Sequence, residues 1–507
     1  MPGSTSCGLP VPDPCISFWQ QTTRSFPYLH ANRDAAAPSG EDGSIKYAII
    51  GSGISGALTA FKLLEGGVAQ REVVILEARE AASGASSRNA GHVRPDAFRG
   101  FAPYARLHGP EQALKILDNE SAVFKAVDAF VKQHSVPCDF NPTTTFDVCL
   151  TQEFADFLAQ SFAEYRDAGG DISGIKFYSA EEAPQRTGVK KALAAYEWEA
   201  GSSHPAKLAQ WLLRSCVERG VQLFTHCPVT SIAEVSTEGA PRRWQLTTPR
   251  GTLKTDTVIH CTNAHVSHLL PQLSPYTTPN RAQAHALVPP AALCGDKTLQ
   301  STMSLRHGLK HFYSVAQRPA DGIIILGSSR ANPNLSRETM EGLVSADDSK
   351  GFDSEILADA VSEFWDTMLD DEVEAHHGIN GGEKQVNGTD STKGPEDHVN
   401  GDLGSVRKAK NRPSFRHGEG LLHAWTGIIG LTSDSCPYIG RVPGSEDQWV
   451  CAGFNGHGMA RIFTCAPGLV KLIQGGKWSD TGLPECFELT DERLDKLKMN
   501  AGKGSVW

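Results

Sequence analysis

The chain has no run of about 18 apolar residues, the length a helix needs to cross a bilayer, so no membrane span is expected. It also lacks a basic stripe. The 48 Lys and Arg residues stand against 58 Asp and Glu, for a net charge of −10, which argues against a nucleic-acid partner. The N-terminal MPGSTSCGLPVPDPC has neither the basic nor the apolar region of a secretory signal. The C-terminal GKGSVW is not an S-K-L-type peroxisomal address. The 12 cysteines include no CxxC pair, so no metal site is expected and reduced thiols in a cytoplasmic protein are. Internal repeats are absent. Residues 376–412 are almost free of large apolar side chains and cannot offset the entropy of ordering, so they read as a disordered insertion.

What remains is ordinary for a globular chain: 507 residues, 40% hydrophobic and 21% charged. That length exceeds one typical core, so two or more domains or a large two-part fold are expected. Residues 1–44 read as an irregular arm with a short helix near Ser17–Thr23. Apolar periodicity predicts strands at Tyr47–Ile50, Val73–Leu76, Thr143–Leu150, Thr257–Cys261, Phe312–Val315 and Gly322–Leu326. It predicts helices at Ile54–Leu64, Ala105–Gln133, Glu153–Asp167, Lys207–Arg219, Ser354–Met368 and Arg461–Ile473.

One unit carries specific chemistry. Gly51, Gly53 and Gly56 form G-x-G-x-x-G between the first strand and its helix. Gly51 allows the tight turn, Gly53 admits a pyrophosphate close to backbone, and Gly56 lets helix and strand pack. The helix N-terminus, from Ile54 and Ser55, offers amide donors and a positive dipole end. Glu77 ends the second strand, followed by Ala78. A carboxylate there accepts from ribose hydroxyls and repels a 2′-phosphate, which argues against NADP. This unit alone does not separate NAD from FAD.

The next stretch does. ILEAREAASGASSRNAGHVRPD resembles the FAD site of the D-amino-acid oxidase-like flavoprotein family, which includes glycine oxidase, sarcosine oxidase and γ-glutamylputrescine oxidase. AWTGIIGLTSDSCPYIGRVP and CAGFNGHGMARIFTCAPGLVKLI resemble the C-terminal half of that family's signature. The motifs span residues 45 to 475 apart from the insertion. The resemblance implies an α/β fold: a Rossmann-like FAD-binding domain of glutathione-reductase-like topology with an interleaved α+β substrate domain. The FAD domain would use 45–100, 200–265 and 420–475. The substrate domain would use 101–199 and 266–375, with 476–507 a C-terminal tail. Ser86, Arg88, Asn89 and Gly91 would wrap the cofactor. Val229 would meet the adenine. Gly453, Asn455, Gly456, His457, Gly458 and Met459 would approach the flavin ring, where amides and a helix dipole stabilise negative charge.

Covalent attachment is not expected. Histidine-tethered relatives carry their histidine near Arg88 and Asn89 rather than at His92, and Gly427 stands where sarcosine oxidases have their tether cysteine. The resemblance implies FAD-dependent oxidation of a C–N bond in a small amine or amino acid, with O2 as acceptor. Such enzymes anchor a substrate carboxylate with arginine. Arg94, Arg306, Arg318 and Arg330 are the candidates, while the lysine of sarcosine oxidases is replaced by Ala460. His311, Tyr313 and His457 are further pocket candidates, the first two sharing one strand face. No catalytic acid or base follows from the sequence. Two alternative readings are oxidation of a natural-product intermediate on the same fold, and a flavin-binding structural or assembly protein.

Overall fold

The computed structural model describes residues 7–235, 243–328, 331–369 and 416–499. The expected 376–412 insertion and Arg330 lie outside these described residues. Two sheets organise the chain. The first has six strands, in the order 438–441, 448–452, 257–260, 47–50, 73–76 and 222–224. All neighbours are parallel except Tyr438–Arg441, which runs antiparallel to Gln448–Ala452. Alternation along Tyr47–Ile50 explains its two coverings. Ile49 joins the core under the helices Ile54–Glu65, Pro205–Val217 and Ile462–Ile473. Ala48 and Ile50 instead meet Trp244, Leu246 and Leu253 of a three-stranded antiparallel meander.

The second sheet has nine strands. Its main path runs 420–432, 277–288, 324–327, 312–317, 302–306, 141–149, 194–202 and 92–93, with 176–178 also on 194–202. Gly420–Thr432, expected within the FAD-binding segments, pairs along its length with Thr277–Val288 in this larger sheet. One face of the sheet packs Met303, Leu305, Tyr313, Val315 and Leu326 against Phe364 and Trp365 of the helix Ser354–Met368. The other face looks toward the first sheet.

The helix expected over Ala105–Gln133 is two, Phe101–His108 and Pro110–His134. Gly109 sits between them at φ +86°, where a side chain is strained, and Pro110 opens the second helix with its fixed φ. The arm is more than a connector. Phe18 and Trp19 are buried against Trp425, and the Trp19 indole donates to the Asn89 carbonyl at 2.7 Å. Among the described residues, no helix is long and apolar enough to cross a membrane.

Candidate active site

A cavity of about 410 Å³ runs between the two sheets. At one end lies the turn after the first strand. Gly51 adopts φ +105°, and a Cβ there would lie 2.7 Å from the Cys261 carbonyl oxygen. A Cβ on Gly56 would lie 2.0 Å from the Gly51 carbonyl oxygen, so this glycine seats the helix on the strand. Gly53, Ile54, Ser55, Glu77, Ala78 and Val229 line this end. The Glu77 carboxylate accepts from Ser52 N at 3.0 Å, Ser52 Oγ at 2.6 Å and Arg79 N at 2.9 Å, so it braces the glycine turn as well as facing the cavity.

The Gly84–Gly91 loop forms a side wall. Ser86 Oγ accepts from Ile54 N at 2.8 Å, across the helix N-terminus. The Arg88 guanidinium is committed to the protein: it donates to the carbonyls of Ser83, Cys15 and Thr426. Asn89 knits the loop, accepting from Gly91 N and donating to Ala85 O. Ser86, Arg88 and Asn89 line the cavity; Gly91 stands behind the wall, pressed against Ser203 and Trp19. Gly427 is also pressed: a Cβ there would lie 2.8 Å from the Arg88 Cβ. This packing accounts for a glycine at the position compared above with a tether cysteine.

Opposite lies the Gly453–Met459 loop. Asn455, Gly456, His457, Gly458 and Met459 line the cavity, whereas Gly453 packs on Thr432 and Tyr438 outside it. Asn455 fixes the loop, accepting from Thr432 N and donating to Gly453 O. His457 Nδ1 lies 3.3 Å from Glu120 Oε2, and Arg461 Nε donates to Glu120 Oε1 at 3.0 Å. Burial would raise the fully buried Glu120, but its pairing with His457 and Arg461 prevails and holds it down at about 2. Burial, acting against the charge of Glu120, lowers His457.

The far wall belongs to the large sheet, where the register Ser304↔Ser314, Leu305↔Tyr313 and Arg306↔Phe312 decides what faces inward. Ser304, Arg306, Phe312 and Ser314 line the cavity. Tyr313 therefore points to the opposite, apolar face with Leu305, where it hydrogen-bonds Asp359 and Asn332. His311 stays beside Tyr313 at 3.4 Å. Neither of the two lines the cavity, because Arg306 and Phe312 take the inner face. Arg318 lies elsewhere, ion-paired to Asp321 and over the rings of Phe18 and Trp19.

Arg94 and Arg306 do reach the cavity, and they arrive as part of a buried cluster that sequence reading missed. Asp147 receives Arg94 at 2.7 Å, Arg99 at 2.8 Å and Arg306 Nε. Arg99 also pairs with Asp96 at 3.3 Å. Arg94 further donates to Thr145 Oγ1 and Ser304 Oγ, both at 2.8 Å. Burial, then the neighbouring Arg99 charge, pulls Arg306 down to about 9. Burial acts against the charge of Asp147, but the three guanidiniums hold its carboxyl far below the carboxylate range. Arg99 lay in view, five residues after Arg94 in RPDAFRG; Asp147 carried no local signal.

Several buried polar atoms around the cavity have no hydrogen-bond partner among the described residues: both ring nitrogens of His92, Thr262 Oγ1 and His268 Nε2. Buried polar groups are normally paired. With the glycine turn at one end and these atoms along the walls, the cavity fits a long polar cofactor such as FAD.

Residues 46–472 match the family model described as FAD dependent oxidoreductase. The chain belongs to this family, and FAD is its cofactor. It is 23% identical over 255 residues to the probable oxidoreductase OrdL of Haemophilus influenzae, a match covering 50% of this chain and 56% of that protein. The chain thus matches little more than half the length of this curated relative. Among solved structures, glycine oxidase from Geobacillus kaustophilus is similar in fold, with TM-score 0.60 at 17% identity over 88% of this chain and 98% of that one. L-proline dehydrogenase from P. horikoshii aligns with TM-score 0.61 at 17% identity, over 89% and 97% of the two chains.

Proposed function

We propose that this FAD dependent oxidoreductase oxidises the C–N bond of a small amine or amino acid that carries a carboxylate, with O2 as acceptor. One observation carries the reading: the cavity wall presents Arg94 and Arg306 from a cluster in which three guanidiniums face two carboxylates. That cluster holds one formal positive charge in excess. Glu120 does not supply the balance, because Arg461 already pairs with it at 2.9 Å. An uncompensated buried charge is costly, so an anion in the adjoining cavity is favoured. A guanidinium with free N–H groups binds a carboxylate through charge-assisted hydrogen bonds. The names of the two solved relatives, glycine oxidase and L-proline dehydrogenase, support an amino-acid substrate by likeness of fold.

In this reading the Gly51–Ser55 turn takes the pyrophosphate, Glu77 and Val229 the adenosine end, and Gly456–Met459 the ring end. FAD, bound without a covalent link, supplies the hydride acceptor. The protein's own work is orientation and protonation. Arg306 and Arg94 fix the carboxylate, and Ser304 and His92 stand on the same wall. Burial, then the charge of Arg94, brings His92 down to about 3, so its ring is neutral.

The test is anaerobic bleaching of the flavin absorbance by a panel of amines and amino acids, followed by peroxide release on admitting air. Carboxylate-bearing amines should bleach the flavin. A holoprotein bleached by none of them overturns the C–N reading, and bleaching without peroxide overturns O2 as acceptor.

A further inference from the structure

Outside the cavity, three chemically competent side chains converge that the reading above leaves unused. Cys436 is fully buried in the turn between the strands Gly420–Thr432 and Tyr438–Arg441. Cys486 lies in the C-terminal segment, and His108 ends the helix Phe101–His108; both are half-buried. Cys436 Sγ is 3.3 Å from His108 Nε2 and 3.7 Å from Cys486 Sγ. His108 Nε2 is also 2.8 Å from the Asp434 carbonyl oxygen. A carbonyl oxygen accepts and never donates, so Nε2 carries the proton and shares it with the sulfur.

Two guanidiniums brace the turn, each paired with a carboxylate: Arg493 with Asp434 and Arg461 with Glu120, both at 2.9 Å. Arg493 Nη2 donates to the Cys436 carbonyl at 2.9 Å, and its Nη1 to the Phe487 carbonyl at 2.9 Å, so one guanidinium holds both cysteine-bearing segments. Arg461 Nη1 donates to the Ser435 carbonyl at 3.0 Å. His108 Nε2, which carries a proton, and Cys486 Sγ both lie at hydrogen-bond distance from the Cys436 sulfur, an arrangement that favours the thiolate.

We propose that Cys436 and Cys486 form a peroxide-reactive thiol pair, in which Cys436 is the nucleophile, Cys486 the resolving thiol and His108 the proton donor. The electrostatics agree. Burial and the Asp434 charge would raise the Cys436 thiol, but the hydrogen bond with Cys486 and the charge of His108 outweigh them and lower it. The hydrogen bond to Cys436 and burial raise Cys486, which stays protonated.

The chemistry balances with hydrogen peroxide as the oxidant, whether added or formed by the protein itself. The Cys436 thiolate attacks one peroxide oxygen; an S–O bond forms, the O–O bond breaks, and the departing oxygen takes the His108 proton and leaves as water. Cys436 is then a sulfenic acid. The Cys486 sulfur attacks it, an S–S bond replaces the S–O bond, and the second water carries away the thiol proton. Two thiols are oxidised and one peroxide is reduced to two waters. The sulfurs must close by about 1.7 Å to reach the disulfide length near 2.05 Å. The three ligand atoms also lie within 4.8 Å of one another, close enough to hold a metal ion. The proton on His108 Nε2, held toward the Asp434 carbonyl, favours the dithiol.

Limited peroxide treatment of the holoprotein, followed by alkylation and peptide mapping, tests this. Cys436 and Cys486 should appear as one crosslinked peptide pair, with two alkylatable thiols lost. His108→Gln should slow the crosslink at least tenfold, and Cys486→Ser should leave a sulfenic acid on Cys436 that dimedone traps. Three results would each overturn the proposal. One is full alkylation of both cysteines at doses that oxidise other thiols. Another is an unchanged rate in His108→Gln with its flavin absorbance intact. The third is stoichiometric zinc in the purified protein that Cys436→Ser releases.

Discussion

Replacing Arg306 with methionine removes the guanidinium, whose Cζ lies 4.2 Å from the centre of the Phe312 ring, and keeps much of the apolar stem. The fold should tolerate it. Asp147 keeps Arg94 and Arg99, so the cluster becomes formally neutral rather than anionic. The loss of stability should then be about 0.5–2 kcal/mol, the range of a cation–π contact. Anion binding is where the effect should appear. Among the described residues Arg306 spends Nε on Asp147 and Nη1 on the Leu309 carbonyl at 3.2 Å. Nη2 is left to face a ligand. A charge-assisted, partly bidentate contact contributes about 2–4 kcal/mol, which is roughly a 30- to 1,000-fold change in dissociation constant. The assay needs no known substrate: small carboxylates are titrated into the holoprotein and binding is read from the shift of the visible flavin band. The wild type should bind and Arg306→Met should bind at least 30-fold more weakly, while carboxylate-free amines change little. Equal affinity of the two proteins, or no carboxylate that moves the band, refutes the anion-anchor argument.

Gly53→Val should abolish FAD retention through gel filtration, because even its Cβ would lie 2.9 Å from Ser86 Oγ; a yellow variant would refute the placement of the pyrophosphate. Glu120 is depressed from 4.5 to about 2, so its stabilising contribution is full above about 4.5 and is lost as pH falls through that window. Glu120→Gln should therefore flatten the acid side of the melting-temperature profile between pH 4.5 and pH 2, and an unchanged slope would count against the pairing with His457 and Arg461. Trp19→Ala should cost about 3–5 kcal/mol in chemical denaturation and weaken FAD binding, because the indole is buried and braces the Asn89 carbonyl. Full FAD affinity in that variant would show that the arm does not support the cofactor loop. Tyr313→Phe should leave carboxylate binding intact, since its hydroxyl serves Asp359 and Asn332 on the far face; a large loss would restore it to the pocket.

The cofactor end was legible because its information is local. Strand, glycines, helix and Glu77 follow one another within about thirty residues, and each is required by a separate physical constraint. The far wall of the cavity was legible in its ingredients but not in its orientation. Alternation places His311 and Tyr313 together, yet only the pairing of Arg306 with Phe312 says which face is inward, and that register is a tertiary fact. Asp147 was invisible for a related reason. Its meaning comes from arginines 53, 48 and 159 residues away. The break at Gly109 and Pro110 could have been read, since a glycine followed by proline is a stronger stop than the surrounding apolar periodicity is a continuation.

The arm has a temporal consequence. Cys15 to Trp19 clasp Trp425 and Thr426, partners up to 411 positions later in the chain. At roughly 5–20 residues per second, translation separates their appearance by about 20–80 s. Throughout that interval the burial site of Phe18 and Trp19 is incomplete, because Trp425 closes it last. Closure of this side of the cavity is therefore a late, long-range event in the life of a nascent chain.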